Sequence, residues 1–175
     1  MFNSLKEFLA KKIILRRFKQ GNSQPLSFNS FIRNAKQVLI LPPGVNPDFE
    51  ESLKIVNYLR GLGKEISLIL NEDFIDKPEL DNFNLISFSQ EQISRLGMPS
   101  KNFLSLLQKK DYDVYIDLTL EHNQFVFAIG RAVNARFKVA FNKKNSSKFS
   151  NFLFTIKENN PMNSYENFLN SLRMF

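Results

Sequence analysis

From Lys36 onward the chain alternates short apolar runs with stretches whose apolar residues recur every three or four positions, and Gly or Pro stands at many of the joints. That alternation restricts the fold more than any other feature, because parallel strands need a helical crossover between them. Gln37 to Leu41 (QVLIL) reads as a first strand ended by Pro42-Pro43-Gly44. Asp48 to Leu62 then repeats Phe49, Leu53, Val56 and Leu59 at helical spacing, until Gly61 and Gly63 stop it. Further strands are predicted at Glu65 to Leu70, Asn84 to Phe88, Asp113 to Leu118, Phe137 to Phe141 and Asn151 to Ile156. Helices are predicted from a Ser100 cap to about Lys109, over Asn123 to Asn134, and from a capping box at Asn163-Ser164-Tyr165-Glu166 through Leu172. The expected class is α/β: a doubly wound, mostly parallel Rossmann-like sheet of about five or six strands, with helices on both faces.

The chain has 175 residues, room for one such domain, read as 36–175. Residues 1–22 read as an extra basic, amphipathic N-terminal helix with Phe2, Leu5, Leu9 and Ile13 on one stripe, and 23–35 as a linker. Lys6, Lys11, Lys12, Arg16, Arg17 and Lys19 stand against the single Glu7, so this helix holds +5 of the chain's +7. Apolar stripe plus cationic face is the composition of an interfacial anchor, and packing on the chain's own domain or on a partner protein is the competing reading. No apolar run is long enough to span a bilayer. Lys6, Glu7, Lys11 and Lys12 also interrupt what would be the core of a secretory signal. The expected location is the cytoplasm, peripheral to the inner face of its membrane.

With no cysteine and one histidine, His122, the chain lacks a disulfide scaffold, a thiolate nucleophile and any site needing two imidazoles. No metal constellation is visible, and no cofactor is implied. The 19 Phe carry no weight in this reading. In a doubly wound sheet, ligands bind just past the carboxyl ends of the strands, which selects Asn46, Asp48, Glu72, Asp73, Asp117, Thr119, Glu121, His122 and Asn123, with Asn46, Asp48, Asp117, Thr119 and His122 the candidate site residues. The loop after the first strand has neither GxGxxG nor GxxxxGK[ST], and Asp48, Glu50 and Glu51 at the following helix would repel a phosphate. Asp48 is placed either as a helix cap with Glu51 or as a general base. Asp117 would share acid and base duties with it if their strands are neighbours. Late in the chain Arg131, Arg136, Lys138, Lys143, Lys144 and Lys148 form a second basic strip with no Asp or Glu between them. It reads as a solvated face or as an anion-binding edge, and with Lys11, Lys12, Arg16, Arg17 and Lys19 it leaves three partners open. These are an anionic membrane surface, a protein and, as second choice, nucleic acid.

Two segments, VLILPPGVNPD (Val38 to Asp48) and YDVYIDLTLEHNQFVFAIGRAVNARFKVAF (Tyr112 to Phe141), together resemble the N-terminal half of the glycosyltransferase family 9 heptosyltransferases. The resemblance implies that Asp48 deprotonates an acceptor hydroxyl, with Asn46, Asp117, Thr119 and His122 near the acceptor. Pro47 stands where that family has Gly, Thr119-Leu120 replaces its Gln-Gly, and Ala140 replaces its closing Gly. Nothing resembles the family's C-terminal donor-binding motif. The expectation is therefore a glycosyltransferase-like domain, inactive alone, with a membrane-peripheral binding role; the alternative is a non-enzymatic RNA-, ribosome- or protein-binding module. Nearly the whole chain is also similar to a group of short bacterial proteins of no assigned activity. They share the basic helix, a GxPK-like turn (here Gly97-Met98-Pro99-Ser100) and an FDxxIDL-like strand (Tyr112 to Leu118).

Overall fold

In the computed structural model, which describes residues 2–18, 27–155 and 161–175, six strands form one all-parallel sheet in the order β3-β2-β1-β4-β5-β6. The strands are β1 (Gln37–Leu41), β2 (Glu65–Asn71), β3 (Asn84–Phe88), β4 (Asp111–Asp117), β5 (Asn134–Phe141) and β6 (Phe152–Phe154). The helices are α1 (Phe2–Arg17), α2 (Phe31–Asn34), α3 (Asp48–Gly61), α4 (Lys101–Leu107), α5 (Gln124–Ala132) and α6 (Pro161–Leu172). The fold is doubly wound and Rossmann-like, and its strand order reverses between β1 and β4.

The central strands are apolar almost throughout, as strands covered on both faces must be. Val38, Leu39, Ile40 and Leu41 of β1 are all buried, and so are Val114, Tyr115 and Ile116 of β4. On one face Val38, Ile40, Ile55, Leu59, Ile116, Phe141 and Phe168 pack together under α2, α3 and α6. On the other, Leu39, Leu41, Tyr115, Phe103, Phe127, Ile129 and Ile14 pack under α1, α4 and α5. Asp113 locks the lower edge: its Oδ2 accepts the backbone N–H of Lys36 at 2.7 Å and of Gln37 at 2.9 Å, tying the start of β1 to β4. The N–H donors of Gln37 and Lys36 hold this carboxyl below the usual range.

Ser100 caps α4, its Oγ accepting from Phe103 N at 3.2 Å, and Asn123 caps α5, its Oδ1 accepting from Val126 N at 2.8 Å. Gly63, at φ 72°, closes the turn from α3 into β2, a left-handed position suited to glycine.

Three expectations change. The final helix begins at Pro161, so Asn163, the cap of the expected box, lies inside it. Of the segment read as a linker, residues 27–35 are structured. Phe31, Ile32 and Ala35 are buried against Val38 and Phe137, and Phe28 sets its ring edge-on to Phe31 and Phe137. The remainder of that segment and Lys19 lie outside the described residues. Along α1 it is Ala10, Ile14 and, just past its end, Phe18 that are buried, whereas Leu5, Leu9 and Ile13 of the expected stripe are exposed.

Candidate functional site

β1 and β4 are neighbours, with Leu41 beside Asp117 in register, yet β1 continues to α3 on one face and β4 to α5 on the other. The two exits diverge and leave a crevice over the strand ends. It is a cavity of about 200 Å³ lined by Leu41, Pro42, Pro43, Gly44, Ile69, Leu70, Asn71, Phe74, Phe88, Ile93, Thr119, Asn123, Phe125 and Val126. Of the residues selected from sequence, Thr119 and Asn123 line it; Asn46, Asp48, Glu72, Asp73, Asp117, Glu121 and His122 do not.

Asp117 is committed to structure. It is fully buried, its Oδ1 accepts from Thr119 N at 3.0 Å and Thr119 Oγ1 at 2.6 Å, and its Oδ2 lies 2.8 Å from Lys143 Nζ. Lys143 also donates to the Thr119 carbonyl and hydroxyl. Burial lowers the Lys143 pKa while the Asp117 charge opposes that shift. The hydroxyl of Tyr165 on α6 donates to the carbonyl of Leu118 at 3.0 Å, fixing the same strand exit from the other face. A free acceptor-binding role for Asp117 is thus replaced by a buried ion pair, whose remaining carboxylate capacity Thr119 takes up.

Asp48 is different. It is the first residue of α3 after Pro47, which supplies no side-chain cap, so the expected cap is not formed. Among the described residues its carboxylate has no hydrogen-bond partner. Desolvation raises its pKa and the charge of nearby Glu121 adds to the rise. His122 is half-buried, its Nε2 3.3 Å from Asn145 Nδ2 and its ring edge-on to Phe127. Burial first, and Lys144 second, lower its pKa and favour the neutral ring.

The late basic strip divides by burial. Arg131 donates to Lys148 O at 2.7 Å and to the Phe18 carbonyl, so it clamps the end of α1 to the loop after β5. Lys138 donates to Gly130 O at 2.9 Å, and Lys143 holds Asp117. These three are spent inside the fold and offer no anion-binding edge. Lys144 pairs with Glu7 of α1 at 2.7 Å, and the Arg136 guanidinium lies 5.4 Å from the centre of the Phe137 ring. Lys148 sits beside Lys11, and the proximity of these two cations lowers the Lys148 pKa. Lys12, Arg16 and Arg17 on α1 are exposed.

Sequence reasoning missed the aromatic lining. Phe74, Phe88 and Phe125 meet at the crevice from three separate elements, and no local pattern distinguishes them from the other phenylalanines. Among the described residues no group of His, Asp and Glu is placed to hold a metal ion, and no helix is long and apolar enough to cross a membrane.

The model of a family of unknown function (DUF6913) matches residues 6–175. No curated protein matches the chain.

Proposed function

Because the chain belongs to the DUF6913 family, which lends no activity, we propose a function from its own surface: a glycosyltransferase-like binding domain that seats on an anionic membrane through α1. The observation that carries this reading is the two-sidedness of that helix. Ala10, Ile14 and Phe18 fix one side to the body, while Leu5 (57% exposed), Phe8 (61%), Leu9 (44%) and Ile13 (43%) face outward. Exposed Lys6, Lys12 and Arg16 lie among them. Large side chains gathered on an outward helix face need a partner, and the interspersed cations match an anionic leaflet such as the cytoplasmic one.

Fully burying such a side chain stabilises by about 1.5–3 kcal/mol, so the exposed portions of these four are worth roughly 3–6 kcal/mol in an interface. Each cation adds about 1 kcal/mol near anionic lipid. The test is co-sedimentation of the full chain with vesicles of phosphatidylcholine alone or mixed with phosphatidylserine. Phe8→Ser with Leu9→Ser removes about 2 kcal/mol, near thirtyfold in partitioning. Lys12→Glu with Arg16→Glu abolishes the preference for anionic vesicles. These positions point away from the core, so both variants stay folded, and either one pelleting like wild type would refute the reading. Salt-sensitive RNA retention by a chain that ignores vesicles would move the function to nucleic acid.

One observation favours a catalytic reading as well: Asp48 at the β1 exit carries an unspent carboxylate of raised pKa, as a base for an acceptor hydroxyl requires. Transfer of sugar from a nucleotide-sugar donor by the purified chain, lost in Asp48→Asn, tests it; turnover unchanged in that variant would remove Asp48 from the mechanism.

A further inference from the structure

We infer that the crevice over β1, β2 and β4 is a binding site for a small aromatic carboxylate, a reading independent of the membrane docking of α1. Size sets the first limit. A cavity of about 200 Å³ is below the range that holds drug-sized ligands, roughly 300–1,000 Å³. An engineered apolar cavity of about 150 Å³ takes up benzene. One ring with one small substituent fills this volume, whereas a nucleotide would have to extend well beyond it.

The walls set the second limit. The rings of Phe88 and Phe125 lie 4.4 Å apart, and Phe74 also lines the cavity. A flat ring can add to this cluster in the offset or edge-on contacts that aromatic groups prefer. Pro42 and Pro43 bring no N–H to the opposite side.

The polar side chains set the third limit, because what remains to them is donation. Asn123 Oδ1 is taken by Val126 N at 2.8 Å and Asn71 Oδ1 by Asp73 N at 3.1 Å. Each side chain is thereby oriented, and the Nδ2 that remains has no acceptor among the described residues. The Thr119 hydroxyl already donates to Asp117 and accepts from Lys143. No carboxylate lines the cavity. Two oriented amide donors beside an aromatic wall recognise a ring bearing acceptor oxygens and reject one bearing an ammonium group.

The probe is benzoate, with benzylamine as the ring of similar size and opposite polarity, each titrated into the ¹⁵N-labelled full chain and followed by amide chemical shifts. The expected result is saturable benzoate binding in the millimolar range, as so small a ligand allows. Shifts should be confined to Gly44, Asn71, Asn123, Phe125 and their neighbours, with benzylamine at least about tenfold weaker. Asn123→Asp keeps the helix cap, because aspartate caps as well as asparagine, and replaces the donor by a second oxygen. This variant should remain folded and lose benzoate affinity about tenfold. Absence of saturation at tens of millimolar benzoate overturns the proposal, as do equal binding of benzylamine, shifts that map to the basic face of α1, or an Asn123→Asp variant that binds like wild type.

Discussion

Lys138 offers the sharpest quantitative test of how this chain uses its charges. Its ammonium is tucked under the last turn of α5 against the Gly130 carbonyl, where burial, and secondarily the Arg131 charge, bring its pKa down to about 8. In the unfolded chain the same group titrates near 10.4. Below pH 8 both states hold the proton, and the fold bears the full cost of the buried charge. Between about 8 and 10.4 the native chain has released a proton that the unfolded chain still binds, so stability rises with pH across this window. At about 1.4 kcal/mol per pKa unit the rise amounts to about 3 kcal/mol, some 6–12 °C in Tm for a domain of this size. Other lysines and the tyrosines titrate in the same range, so the quantity to measure is the difference between wild type and Lys138→Met, a substitution of similar shape that cannot ionise. Urea unfolding at closely spaced pH values from 7 to 10 should show the variant more stable at neutral pH, with the gap shrinking by about 2–3 kcal/mol as pH rises. A gap that stays constant over that range would show that the Lys138 ammonium is not desolvated, and would refute the argument.

The Asp117–Lys143 pair should behave oppositely to a surface ion pair: Lys143→Met alone costs about 3–5 kcal/mol by stranding a buried carboxylate, and adding Asp117→Asn recovers most of the loss in urea unfolding. Gly130→Ala is expected to destabilise in spite of alanine's helix propensity, because a Cβ there would lie 2.5 Å from the Phe149 ring. Such overpacking costs about 1–3 kcal/mol, and Phe149→Leu in the same chain should relieve part of it on a thermal melt. Asp48→Asn should leave stability within about 0.5 kcal/mol or raise it slightly, since the carboxylate caps nothing and is desolvated beside Glu121. A loss near 1 kcal/mol would instead mark it as a cap.

The sheet was readable because its signals are local. QVLIL is an apolar run stopped by Pro-Pro-Gly, DVYID is a β-branched and aromatic core between two aspartates, and Ser100 and Asn123 stand where helices need an acceptor for their first N–H groups. What was not readable depends on register and on which faces meet. Lys143 looks like one more cation in a strip, and it becomes the partner of Asp117 only because β5 pairs with β4 so that Ala140 lies beside Asp117. α1 carries two apolar stripes one residue out of phase, Leu5-Leu9-Ile13 and Ala10-Ile14-Phe18. Hydrophobic spacing cannot say which one meets α5. Asp48 followed by Glu51 fits a capping pattern, but the chain enters α3 through Pro47 and the carboxylate is left over.

The placement of α1 connects the two proposed uses of the molecule. Arg131, near the end of α5, binds the Phe18 carbonyl at the end of α1, while Glu7, near the start of α1, binds Lys144. Glu7 and Lys144 also both act on His122, two residues before α5 begins. The two helices therefore run side by side in the same direction. The start of α5 is also the wall of the crevice, through Asn123, Phe125 and Val126. Leu5, Phe8 and Leu9 consequently sit at the crevice end of the molecule, and a domain seated on lipid through them would hold its apolar opening toward that end. In that proposal docking and ligand capture would share one geometry: the part-buried Arg131 and Lys143 hold α1 and the strand exits in place, and the exposed cations of α1 would select the surface.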